Sequence, residues 1–331
     1  MKSWKTDVAV LLIFFVRDDV FSKTFEAVKK ARPRTLLLFQ DGPREGRSDD
    51  IEGIKRCREI AEAIDWDCTV YRNYQDKNWG CDPATFYSHK WAFSLVDKCI
   101  ILEDDCVPSQ SFFPFCKELL DKYENDLRIS RIAGMNNLGV FDECPDDYFF
   151  TNGGSVWGWA TWKRVADQWE EDYGFCEDAY SLETLKSNMI QKYGTRNWKA
   201  FFNKCLWQKK SGKPFWESIN SFQRVLNNQL CIVPKRNMIS NIGVSENATH
   251  SVSNVKLLSK ASQRFFATPV YECNFPLKHP KYVIENVDYS RKLAKNRSIF
   301  SKVDSIFRRL ISGNYKSIIV SIKRRLNNDR I

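Results

Sequence analysis

The sequence predicts an α/β domain: a mixed, mostly parallel sheet with helices on both faces. Three observations carry this. Short apolar runs alternate with amphipathic segments through the first hundred residues, the order that produces parallel strands joined by crossover helices. Polar residues stand where each run ends. A composition 43% hydrophobic and 14% aromatic is ample for a packed core and excludes global disorder. The 331 residues accommodate one large domain with additions, or two domains.

In chain order, Val8–Val16 is an unbroken apolar run flanked by Asp7 and Arg17. It falls short of the ~20 apolar residues a spanning helix needs, and no small-residue cleavage site follows it. A buried first strand is therefore expected, with neither signal peptide nor transmembrane segment. Val20–Lys30 reads as a helix ended by Arg32-Pro33, Thr35–Gln40 as a second strand and Ile51–Ile64 as a second helix. Thr69–Arg72 gives a third strand, Pro83–Val96 a third helix and Cys99–Leu102 a fourth strand. No glycine-rich phosphate fingerprint follows the first strand and no Walker lysine loop occurs, which argues against a dinucleotide or P-loop fold.

The fourth strand runs directly into Glu103-Asp104-Asp105, and Pro108 is expected to end its pairing. Three adjacent acids repel one another unless a cation lies among them, and hard divalent ions such as Mg²⁺ and Mn²⁺ prefer such oxygen ligands. A solvated acidic turn is the plain alternative. Parallel strands bring their carboxyl ends to one rim, where open α/β sheets bind ligands. Arg17, Asp41-Gly42-Pro43-Arg44 and the Asn73–Gly80 stretch fall at the same rim. An aspartate and an arginine there suit a nucleobase edge and a diphosphate, although Asp-Gly-Pro is also an ordinary turn sequence.

Beyond the triplet, Ser109–Tyr123 reads as a helix and Ile129–Met135 as a strand. Asn152–Trp162 is glycine-rich and dense in tryptophan, a poor regular element whose indoles either close a core or stack on sugar rings. Gln168–Gln208 looks helical, with Trp169, Trp198 and Trp207 placed in the core. Pro214-Phe215-Trp216-Glu217 leads into another helix, where Glu217 is either a capping acid or a general base. Gln229–Val233 is strand-like, and Asn241–His250 is a small polar loop in which His250 suits a diphosphate or metal contact.

Eleven cysteines without a C-x-x-C pair and three histidines argue against a zinc site or a disulfide framework and fit a reducing compartment. The net charge of +10 is concentrated at one end. Residues 291–331 hold twelve of the 51 Lys and Arg but two of the 41 acids, leaving 39 of each before them. A nucleic-acid-binding body is thus not implied. The tail repeats apolar residues at helical spacing among its bases, the pattern of an amphipathic helix on an anionic membrane surface.

Taken as an ordered set, these residues resemble the metal-dependent GT-A glycosyltransferases, the group of N-acetylglucosaminyltransferase I and of bacterial sugar transferases labelled hemolytic-protein-like. The resemblance spans residues 7–250. It rests most on His89-Lys-Trp91-Ala-Phe, Ile100–Asp105, Val107-Pro108 and Phe112-Phe113, with Arg17, Phe39–Gly42, Gly158-Trp159, Phe215–Glu217 and Gly243–Ser245 as further matches. It implies a Mn²⁺ or Mg²⁺ cofactor bound by Asp105, a ribose contact from Asp104, and donor-sugar contacts from Glu103, Trp216 and Trp159. Asp41 would read the base, Arg17 would touch the nucleotide and Glu217 would be the catalytic base; Ser245, like His250, suits a diphosphate or metal contact. The family has Asp at the position of Glu217, and its histidine near Trp91 falls at Ser88 with His89 displaced by one.

The resulting expectation is an inverting transferase that moves a sugar from a nucleotide-sugar, by resemblance a UDP-sugar, to a glycan or lipid-linked acceptor in bacterial surface polysaccharide synthesis. It would comprise a GT-A catalytic domain over 1–255, an extension over 256–295 and a basic tail over 296–331. It would be cytoplasmic and peripheral on the membrane. The rival readings are a sugar-phosphate nucleotidyltransferase and a non-enzymatic membrane-surface protein.

Overall fold

A computed structural model describes residues 1–243, 263, 265–266 and 268–296. Eight strands form one sheet in the order β3-β2-β1-β4-β8-β6-β9-β7. These strands are β1 (Thr6–Phe14), β2 (Pro33–Gln40), β3 (Thr69–Tyr74), β4 (Lys98–Glu103), β6 (Ile129–Ala133), β7 (Tyr148–Thr151), β8 (Trp159–Trp162) and β9 (Leu230–Pro234). Parallel pairing joins β3, β2, β1 and β4, and joins β6 to β9. Antiparallel pairing sets β8 against both β4 and β6, and β7 against β9. Six strands therefore share one direction, and their carboxyl ends form one rim.

The predicted first half is reproduced with small shifts at the ends. Helices α1 (Asp18–Ala31), α2 (Ser48–Ala61) and α3 (Cys81–Leu95) connect the first four strands. Acidic first turns and the basic last turn of α1 complement the helix dipole. Side chains alternate across the sheet, so each strand feeds two cores. Val10, Leu12, Leu36, Leu38, Ile100 and Leu102 face the packed aromatics of α1 and α4 (Phe112–Lys122). Leu11, Leu37, Phe39, Cys99 and Ile101 face the other side, covered by α3 and α8 (Trp216–Leu226).

The second half departs from the sequence reading in four places. Trp159–Trp162, expected to be irregular, is the strand β8, because Trp159 and Trp162 bury on opposite faces between β4 and β6. Pro108 does not end pairing: β5 (Cys106–Pro108) forms a two-stranded antiparallel sheet with β10 (Ile239–Asn241), with Pro108 opposite Ile239 at its end. The helical stretch expected over 168–208 splits into α6 (Ala179–Tyr193) and α7 (Thr195–Ser211), separated by Gly194 at a positive φ of 84°. Trp169 and Trp198 are buried, whereas Trp207 is 52% exposed beside Phe215.

The short helix α5 (Lys163–Ala166) follows β8, and α9 (Val287–Asn296) closes the described chain. Residues 268–296 pack along the sheet's far side. Glu272 accepts the Gln110 and Ser111 amides at 3.0 and 2.6 Å before α4, and Tyr289 buries against Phe141 and Phe149. Among the described residues no helix is long and apolar enough to cross a membrane. Ser245, His250, the 255/256 boundary and the basic tail from 297 onward lie outside the described residues.

Candidate active site

The rim gathers Arg17, which follows β1, and the acidic turn, which follows β4. Strands β1 and β4 are direct neighbours, with Ile13 opposite Glu103, so the topology makes this meeting unavoidable. The Arg17 guanidinium bonds both Asp104 oxygens, reaches Asp105 Oδ2 at 2.9 Å, and donates to the Gly243 carbonyl at 3.3 Å. The β5–β10 ladder brings Asn241 alongside, and its amide donates to Asp105 Oδ1 at 3.1 Å. Gly243 follows so closely that a β-carbon there would lie 2.0 Å from Asp105 Oδ2.

The charges in this pocket do not balance. The Glu103 side chain makes no hydrogen bond or ion pair among the described residues, and its carboxyl is pushed well above the usual range. Burial is the chief cause, followed by Asp105, Asp104 and Glu217, with Arg17 opposing them. Burial also raises Asp104 to about 6 despite the Arg17 contact. Arg17 is itself raised: burial works against its charge, but the two aspartates outweigh it. The Cys81 thiol at the start of α3 is raised as well, by burial and then by Glu103, Asp82 and Glu217. Three rim carboxylates and Glu217 thus share the field of one guanidinium.

This donor set suits a hard divalent cation in kind and in charge. Such ions bind through one or two carboxylates and complete their shell with substrate phosphates and water. Among the described residues, no three His, Cys, Asp or Glu side chains already surround a common point. A cation there would therefore depend on substrate oxygens as well as protein.

The remaining predicted residues divide. Glu217, in the first turn of α8, is exposed and close enough to Glu103 to raise its carboxyl. Asp41 lies at the rim but is occupied: Oδ1 accepts the Gly42 and Trp79 amides, both at 2.9 Å, and Oδ2 accepts Asn78 Nδ2 at 2.9 Å and the Gly80 amide at 3.1 Å. It anchors the turn between β3 and α3. Trp159 and Trp216, expected to contact the donor sugar, are 1% and 3% exposed and lie in the core, which speaks against that contact. They lie nearly parallel at 6.1 Å, and each also packs on the buried His89 ring, at 5.4 and 5.1 Å. Their faces are occupied within the core.

One rim aromatic escaped the sequence reading. Trp79, held in place by Asp41, is 42% exposed and meets the edge of Tyr87 at 5.5 Å. A half-exposed indole at the rim has the form of a stacking platform. Its signal was the Asn-Trp-Gly turn, which sequence alone does not distinguish from an ordinary loop.

No protein-family model matches this chain, and no curated protein matches it. Among solved structures it is similar to 4-diphosphocytidyl-2C-methyl-D-erythritol synthase from Anaerococcus prevotii DSM 20548, at 12% identity and a TM-score of 0.29, over 53% of this chain and 77% of that one. It is also similar to a UDP-glucose pyrophosphorylase complexed with UDP-glucose, at 7% identity and a TM-score of 0.33, over 70% of this chain and 91% of that one. Likenesses of this size do not bear on the reaction. The fold that the chain's own topology establishes is a Rossmann-like α/β architecture built on one large, mostly parallel sheet.

Proposed function

We propose that this chain is a metal-dependent transferase of nucleotide-sugars, and that the group it moves is the sugar. The observation that supports it most is the surplus of carboxylate charge at the junction of β1 and β4, beside an exposed Glu217. In this reading Asp105 would hold Mn²⁺ or Mg²⁺, which would supply positive charge against the departing nucleotide. Arg17 and Asp104 hold the nucleotide side, and Glu103 faces the donor sugar. Trp79 stacks the base in place of a contact from Asp41, which positions the Trp79 turn.

Glu217 accepts the proton of an acceptor hydroxyl as its oxygen bonds to the anomeric carbon. The bond from that carbon to the diphosphate breaks on the opposite face, and the configuration inverts. The donor is a UDP-sugar and the acceptor a glycan or lipid-linked saccharide, as the family resemblance implies.

A second reading, sugar-phosphate nucleotidyl transfer, is favoured by the cation Arg17 standing directly after β1, where a triphosphate would need one. Thermal unfolding with UDP, GDP, CDP and ADP, each with and without Mn²⁺, tests the shared part. One nucleotide should raise the midpoint only with metal, and Asp105→Ala should remove the shift. Incubation of the matching nucleotide-sugar with Mg²⁺ and pyrophosphate then separates the readings. Nucleoside triphosphate as product would establish nucleotidyl transfer. Nucleoside diphosphate released with an acceptor would establish glycosyl transfer.

A further inference from the structure

On the same sheet face as α8, a second charge imbalance has the opposite sign. Arg131, in β6, is 2% exposed, and its Nε donates to the Cys231 thiol of β9 at 3.1 Å. Its Nη1 is buried without a partner, as are Nε of Arg224 and both amide atoms of Asn220 on α8. No carboxylate among the described residues pairs with either arginine. Arg224 feels both Cys231 and Arg131, while nearby Glu285 is engaged by Lys192 at 3.0 Å.

Structural arginines in this molecule look different. Arg164 donates to four backbone carbonyls, those of Glu124, Ile129, Tyr123 and Asp126, at 2.8 to 3.1 Å. Arg44 forks onto Asp50 through two bonds of 2.8 and 2.6 Å. A guanidinium stays charged in proteins, and burying its donors unpaired is costly. Burial opposes ionisation of Cys231, yet Arg131 and Arg224 outweigh it and lower the thiol's pKa. Even fully ionised, one thiolate neutralises one of the two guanidiniums.

We propose that Arg131, Arg224 and Asn220 form an oxyanion subsite that takes an acidic group of the acceptor saccharide. Resting on the glycosyltransferase reading, this gives the acceptor a chemical class. Glu217, Asn220 and Arg224 recur at three- and four-residue steps, so they line one stripe of α8. The stripe leads from the base at the rim to the arginines, roughly 10 Å along the helix axis for seven residues. That separation requires an acceptor longer than one sugar ring. Gly154 lies against the thiol of this cluster: a β-carbon there would lie 3.2 Å from Cys231 Cβ. Arg224 and the 152–157 loop are only half-buried, which leaves the stripe bordered by accessible chain. Planar forks of N–H donors suit carboxylate and phosphate oxygens.

The test uses the full chain without nucleotide. Inorganic phosphate and glucuronate are titrated separately at matched ionic strength, and the unfolding midpoint is followed. A saturable rise with either anion, absent in Arg224→Gln and partly restored in Arg224→Lys, is expected; the effective anion tells phosphate-bearing from uronic-acid acceptors. Arg224→Gln should retain the wild-type nucleotide-plus-Mn²⁺ shift, which shows that the variant is folded. Equal anion response in wild type and Arg224→Gln, or none in wild type, overturns the subsite. An Arg224-dependent anion response without any nucleotide shift keeps the subsite and overturns its assignment to a glycosyl acceptor.

Discussion

The rim below β1 and β4 and the cluster between α8 and β6–β9 are opposites. The first holds four carboxyl groups and Arg17; the second holds two guanidiniums and a thiol with no carboxylate partner among the described residues. Both border the aromatic core that contains Trp159, Trp216 and Phe222. By contrast, the buried Asp50 is satisfied by the fork of Arg44. In the proposed reading, the contrast teaches that each unbalanced cluster awaits a ligand of the missing sign, a cation at the rim and an anion at the arginines.

The largest expected effect separates chemistry from binding at the acidic rim. Glu217→Gln should lower turnover by roughly 10²–10⁴-fold, the range for loss of a general base, while metal-dependent nucleotide affinity stays near wild type. Comparable losses in turnover and nucleotide affinity would remove Glu217 from the base role and leave it one more acid of the rim.

Next in size is the cation that the rim already has. Arg17→Leu strands Asp104 and Asp105, and breaking a buried pair in this way costs about 3–5 kcal/mol. Denaturant midpoints should fall accordingly and recover in part with Mn²⁺, which replaces the lost positive charge. A midpoint within about 0.5 kcal/mol of wild type would show the rim to be solvated rather than charge-stressed.

Between the two clusters lies His89, whose buried ring is held near a pKa of about 4, chiefly by desolvation. An unfolded histidine titrates near 6.5, so the unfolded chain binds the extra proton between those values. Stability from keeping His89 neutral is present above about 6.5 and lost as pH falls toward 4, on the order of 3 kcal/mol over that window. Urea unfolding at pH 7 and pH 5 should show a steeper loss in wild type than in His89→Phe. Parallel losses in both proteins would mean that other groups drive the acid response.

The smallest effect probes how tightly the rim is assembled. In Gly243→Ala the new methyl must displace the Asp105 carboxylate from Arg17, an overpacking change worth about 1–3 kcal/mol. Metal-dependent nucleotide binding should weaken with it. Unaltered binding would show that the Arg17–Asp105 contact is dispensable to the site.

Much of the rim was legible because local patterns force it. The apolar runs before Arg17, Asp41 and Glu103 determine parallel strands, and parallel strands put their ends together. Less was legible where a residue's role depends on what packs against it. Trp159 reads as core or as a sugar platform, and Trp216 by resemblance as a sugar contact, until His89 is found between them, and Asp41 reads as a base contact until the Asn78–Gly80 turn fills its oxygens. The basic cluster was not foreseen at all. Arg131 sits inside an apolar strand nearly a hundred residues before Arg224 and Cys231, and no local spacing joins them.

The sequence by itself determined the α/β alternation, the acidic strand end and the concentration of positive charge in the tail, because these follow from runs and neighbours along the chain. Tertiary structure alone decided the antiparallel insertion of β8, the return of Gly243 onto Asp105, and the meeting of Arg131 in β6 with Arg224 on α8. Those depend on long-range pairings, β4 with β8, β5 with β10 and β6 with β9. Burial on such pairings is a property of the assembled sheet, and it is burial that makes an unpaired charge costly enough to signal a ligand.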